Sequence, residues 1–167
     1  MSSAAAARRG TALAGVVAVL PALLPAGAPA QSRPSPWATI NACDPPDAPG
    51  IVGVRVLVPN RRNAAQWVRI RIQFFDGTAG TWRVVRSGGD GGFAKLSNGG
   101  RMVMGGTTFT FSPPEVGRLL LLRGLVDVEW RRGRRVLSTA RVRTRGGHVD
   151  PNDPLLQVSA ATCQITR

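Results

Sequence analysis

The chain has 167 residues, 43% of them hydrophobic, which is enough for one domain with a real core and too little for two. Lys and Arg number 22 against 9 Asp and Glu, a net charge of +13, and Lys95 is the lone lysine. The single histidine, His148, excludes a two-histidine metal centre and leaves one place for a histidine-based catalytic triad.

Residues 1–30 read as an export signal: Arg8 and Arg9 precede an apolar run over 11–24, and Ala28-Pro29-Ala30 supplies a small-residue cleavage site. The run is short of the ~20 residues a membrane span needs, and Pro21 and Pro25 interrupt it, so no retained transmembrane segment is expected. Removing Arg8 and Arg9 leaves 20 basic residues against 9 acidic ones, a net +11 on the mature chain. Arginine abundance beside Ala, Gly and Pro has a codon-bias explanation in a GC-rich genome as well as a functional one. Residues 31–36, QSRPSP, read as a disordered leader into a single domain over 37–167. Cys43 and Cys163 bracket that domain, and in an oxidising compartment such a pair predicts a disulfide. The two ends of the domain must then be neighbours, because the bridged Cα atoms come within about 7 Å.

A short first strand is predicted over 37–42, followed by a rigid connector containing Pro45, Pro46 and Pro49. Residues 51–58, IVGVRVLV, are apolar at nearly every position and fit a central strand covered on both faces, with Gly53 at a bulge or close approach. The stretch 66–75 alternates cleanly, Val68, Ile70, Ile72 and Phe74 inward against Trp67, Arg69, Arg71 and Gln73 outward. Asp76-Gly77 turns the chain into a partner strand over 81–86 with Trp82 and Val84 on one face. The glycine-rich segment 87–106 reads as loops, and a short strand is expected over 107–111.

The strongest pattern is the hairpin over 118–144. Leu120, Leu122, Val126, Val128 and Trp130 share one parity, Arg123, Asp127 and Glu129 the other. A tight turn at Gly133 leads into a second strand with Val136, Ala140 and Val142 on one face and Arg135, Thr139, Arg141 and Arg143 on the other. A turn-rich excursion over 146–154 and a closing strand that carries Cys163 complete the chain.

About seven to eight strands spaced by Gly/Pro turns define an all-β class and an antiparallel β-sandwich. In strand count and alternation, residues 37–167 resemble the immunoglobulin-like and fibronectin type III-like sandwiches of secreted bacterial proteins. The pattern departs from antibody domains in placing its cysteines at the ends rather than on two central strands. Through WATINACDPP and SAATC the chain is also similar to exported proteins of high-GC actinobacteria, a resemblance that implies no activity.

Catalytic groups are few. Asp127 and Glu129 share a strand face where two carboxylates could serve glycoside hydrolysis, but cross-strand pairing with Arg141 and Arg143 accounts for them better. Asp150, Asn152 and Asp153 fall short of a full calcium loop, and the glycine-rich segment lacks a GK[ST] ending. No cofactor or metal is expected. The feature with chemical reach is basic: Arg69 and Arg71 beside Trp67, then Arg131, Arg132, Arg134 and Arg135 at the hairpin tip, with Arg141, Arg143 and Arg145 further along. The expectation is a secreted, non-catalytic binding or structural module, extracellular or wall-associated, whose partner is an anionic wall polymer or another envelope protein. The alternative is a polyanion-binding protein, with wall polymer, anionic lipid or extracellular nucleic acid as ligand.

Overall fold

The computed structural model describes residues 34–96, 100–150 and 158–167. The export segment expected over 1–30 and the first three residues of the leader lie outside the described residues. So do Asn152 and Asp153. No helix among the described residues is long and apolar enough to cross a membrane.

The fold is all-β and sandwich-like. Among the described residues nine strands run in order: β1 (Trp37–Cys43), β2 (Ile51–Pro59), β3 (Ala65–Asp76), β4 (Thr81–Val84), β5 (Asp90–Lys95), β6 (Met102–Thr110), β7 (Leu119–Arg132), β8 (Arg135–Arg143) and β9 (Cys163–Thr166). They form two antiparallel sheets. The smaller is ordered β1-β2-β6; the larger is built on the central pair β3-β7. Each edge row of the larger sheet is split between two short strands, β4 and β5 along β3, and β8 and β9 along β7.

The predicted inner faces meet between the sheets. Val52, Val54, Val56 and Val58 of β2 are buried with Val68, Ile70 and Ile72 of β3 and with Leu122, Val126 and Val128 of β7. Alternation buries one parity of each strand, as a half-covered sheet requires. Trp130 is fully buried, and its indole N–H donates to the Pro59 carbonyl at 2.9 Å, so the polar edge of the largest core side chain is satisfied. The guanidinium of Arg61 lies 3.8 Å from the centre of its ring.

β1 ties the sheets along one side. Its Cys43 is bridged to Cys163 of β9, with Cα atoms 5.3 Å apart, so the predicted disulfide joins opposite sheets. Its outer edge continues the stitching: Ile40 exchanges backbone hydrogen bonds with Ala160 at 2.9 and 3.1 Å, and Arg145 N–H donates to the Ala38 carbonyl at 2.8 Å. A bulge between Ile40 and Ala42 crowds Gly53, where a Cβ would stand 2.8 Å from the Asn41 side chain, which explains the glycine inside an apolar strand.

The structure departs from the sequence reading in two places. The glycine-rich stretch expected to be loops supplies β5 and the first half of β6, which brings the strands among the described residues to nine. Glycines hide the alternation there by making room for neighbours: a Cβ on Gly105 would meet the Leu96 side chain at 2.4 Å, and one on Gly106 the Val54 carbonyl oxygen at 2.7 Å. In β8, Val136 does not share the inner face with Ala140 and Val142. A register shift opposite Trp130 and Arg131 turns Val136 outward, where it is 44% exposed.

Removing the Cys43–Cys163 bridge by a double Cys→Ser change should lower unfolding stability by about 3–5 kcal/mol, since it closes a very long loop. Urea unfolding of the oxidised protein and the variant measures this directly, and unchanged midpoints would contradict it.

Candidate functional site

The outer face of the larger sheet carries the charge. Of the six arginines singled out in the sequence, Arg69, Arg71 and Arg131 are engaged in ion pairs there. Arg69 makes a forked pair with Asp90, its Nε donating to the two carboxylate oxygens at 2.9 and 3.1 Å. Arg71 donates to Asp127, which also accepts from Arg141 at 2.5 Å. Arg131 bonds Glu129 at 2.6 Å and covers the rings of Trp67 and Phe93, 4.6 and 4.8 Å from their centres. Arg132 donates to the Asn63 carbonyl at 3.2 Å, while Arg134 and Arg135 stand exposed at the turn. The cross-strand pairing expected of the two carboxylates holds for Asp127 with Arg141. Glu129 faces Thr139 in register and takes Arg131 in place of Arg143.

These pairs perturb the carboxylates as Coulomb's law requires. Asp90 is held down to about 2, chiefly by the hydrogen bond from Arg69, with the Gly92 N–H adding to it and burial opposing it. Asp76 is lowered in the same way, first by Arg83 and then by the backbone N–H of Ala79. A cavity of about 610 Å³ over the middle of this face includes Arg69, Arg71, Asp127, Glu129 and Arg141 in its lining, and its charges neutralise one another at close range.

A different place concentrates unneutralised charge. β8 pairs with β7 as far as Leu125 opposite Arg143, and β9 resumes at Leu122 opposite Cys163. The break is closed from inside by Thr144. Its N–H donates to the Gly124 carbonyl at 3.0 Å, its hydroxyl donates to the Ala161 carbonyl at 2.6 Å, and the same hydroxyl accepts from Gly124 N–H at 3.0 Å. Outside this clasp lies a groove of about 870 Å³ lined by Trp37, Trp82, Arg123, Arg143, Arg145 and His148, among others.

Arg123 reaches into the groove from β7. Its Nε donates to Gln73 at 2.9 Å, and its guanidinium lies 4.1 Å from the centre of the Trp82 ring. Phe75 supports Trp82 from the side at 5.4 Å. At the other wall Trp37 and His148 stack, rings 4.1 Å apart and parallel within 4°. Burial lowers the Arg123 pKa below the usual arginine value, and the charge of Arg143 adds to that. Among the described residues, Arg123, Arg143 and Arg145 form no ion pair.

The sequence pointed outward at Arg141, Arg143 and Arg145 but gave no sign that Trp82, Arg123 and Trp37 converge on them, because these residues come from three separate strands. It also passed over Arg55, which is 5% exposed within apolar β2. Arg55 donates to the His148 carbonyl at 2.7 Å and lies 3.7 Å from Asp150, so Asp150 serves as its counter-ion.

No protein-family model matches the chain, and no curated protein matches it. Among solved structures, a Bifidobacterium dentium β-glucuronidase complexed with coumarin-3-O-glucuronide is similar over 70% of this chain, with 17% sequence identity and a TM-score of 0.36. The chain spans 18% of that protein's length. At that level the likeness assigns neither a family nor an activity.

Asp90 supplies a pH test of the paired face. Because its folded pKa lies below the ordinary 3.8, the Arg69–Asp90 interaction stabilises the fold above about pH 4 and is lost as pH falls toward 2. Asp90→Asn should therefore flatten the fall in stability across that window, read as urea midpoints at pH 5, 3 and 2. An unchanged acid slope would show that the pair contributes nothing.

Proposed function

We propose that this chain is a secreted, non-catalytic binding module of immunoglobulin-like type, acting at the cell envelope on a polyanionic partner. The observation that carries the proposal is the groove in which Arg123, Arg143 and Arg145 stand together, with no carboxylate among the described residues that line it. Like charges so arranged repel one another and favour an anionic ligand that relieves the repulsion.

The strand order supports the immunoglobulin-like part. The smaller sheet, β1-β2-β6, follows the A-B-E order of that architecture, and β3-β7-β8 follows C-F-G. The disulfide differs, since it joins β1 to β9 instead of the two central strands. Export is supported by the bridged cysteine pair, typical of oxidising compartments, together with the pattern of residues 1–30. The non-catalytic part rests on the use of the available groups: Asp127, Glu129, Asp90 and Asp76 are each held by arginine, and His148 stacks on Trp37.

The test is binding of the exported protein to its own cell-wall fraction and to soluble polyanions across a salt series. Binding at low ionic strength should weaken log-linearly with salt as counterions are released, and binding to the wall fraction should survive physiological ionic strength. Failure to bind any polyanion at low salt would overturn the proposal.

A further inference from the structure

We infer that the groove beside the β8–β9 break is a binding site for a glycan of carboxylated sugars, with Arg123 and Arg143 as the carboxylate-binding pair and Trp82 as the platform that holds Arg123 in place. This rests on the polyanion reading above and narrows it to one place and one ligand chemistry.

Location comes first. Of the arginines on the outer face of the larger sheet, Arg69, Arg71, Arg131 and Arg141 already hold carboxylates. An incoming anion would have to displace those partners. Arg134 lies on an exposed two-residue turn, with Gly133 at a φ of 56°, and Arg135 is exposed beside it at the start of β8. Arg123 and Arg143 differ from both groups. Arg123 is half-buried and positioned by Gln73 and Trp82, so little side-chain freedom is lost when it grips an oxyanion.

Chemistry comes second. The Arg123 guanidinium, held over the Trp82 ring at 4.1 Å, borders a groove lining that includes Pro36, Trp37 and Val142, and a cation beside such apolar surface favours a ligand whose charge and ring are also adjacent. A uronic acid meets this demand, because its carboxylate is attached directly to the pyranose ring. One sugar can then place its carboxylate at Arg123 and Arg143 while its C–H face lies along the apolar lining. In a nucleic acid the sugar separates phosphate from base, and a phosphodiester wall polymer with an open-chain backbone has no ring at the charge. A planar carboxylate also suits the guanidinium fork in a two-bond pair.

Extent comes third. Arg143 and Arg145 follow one another along the groove, two residues and at most about 7 Å apart, with Arg123 beside them. The groove volume, about 870 Å³, lies at the upper end of ligand sites. Repeating charge in a long groove suits an oligomer more than a single sugar.

The experiment titrates the disulfide-intact full chain with an oligogalacturonate, with its methyl ester, and with oligothymidylate. The expected result is salt-dependent binding of the oligogalacturonate that the ester loses and that oligothymidylate does not match. Arg143→Ala should weaken it about tenfold, the usual effect of losing a charge-assisted bond. Trp82→Ala should weaken it at unchanged salt slope, whereas Arg134→Ala with Arg135→Ala should change it less than about twofold, the effect of a rim charge. Arg143 is exposed, so its variant should keep the parent urea midpoint. If the turn arginines abolish binding and Arg143→Ala does not, the groove is wrong while the polyanion reading stands. If oligothymidylate binds more tightly, the ligand class is wrong. If no anion binds at low salt, the inference falls together with the reading beneath it.

Discussion

Burial of one face of β7 against the valines of β2 is the constraint on which the rest of the molecule depends. Leu122, Val126, Val128 and Trp130 are fully enclosed, and burying side chains of that size contributes roughly 1.5–3 kcal/mol each. Gly124 interrupts the row because the sheets approach closely there: a Cβ would stand 3.2 Å from the Val54 methyl groups and 2.6 Å from Thr144. At this glycine the neighbouring edge strand ends and Thr144 folds over the gap. A packing requirement in the interior thereby accompanies the interruption between β8 and β9, and the groove lies beside it.

Two regimes of charge result on the same outer face. Where the edge row is continuous, opposite charges sit on neighbouring strands within reach of each other, as in the cluster of Arg71, Asp127 and Arg141. Such contacts hold register and modestly favour the fold, in keeping with the small net value of exposed pairs. Where the row is broken, no described strand supplies a carboxylate. Arginines projecting from β7 and β8 face aromatic side chains and solvent, and Arg123 is destabilised in its charged form by burial and by Arg143.

Period-two alternation made the inner faces of β2, β3 and β7 legible, because burial of one sheet face leaves that signature in the residues themselves. The terminal disulfide was legible for the same kind of reason, two cysteines having one possible partner each. The glycine-rich strands were not. Gly105 and Gly106 are in strand because neighbouring atoms occupy the space a side chain would need, and that information resides in Leu96 and Val54. The groove was less legible still. Alternation predicts that Arg123, Arg141 and Arg143 point outward, yet it cannot say that Trp37 and Trp82 border them, since contact across strands depends on sheet order. Val136 shows the limit of alternation in another way, a single extra residue reversing the direction of everything before it.

The Cys43–Cys163 bond spans 120 residues of sequence and encloses β2 to β8 whole. Covalently, the domain is therefore close to a ring. One hydrolytic cut anywhere between the cysteines opens that ring without releasing a piece, and the new ends stay tethered at high effective concentration within a sheet that can hold them together. Two cuts are needed before any strand from β2 to β8 can diffuse away. Resistance to nicking thus comes from connectivity, over and above whatever the packed core provides.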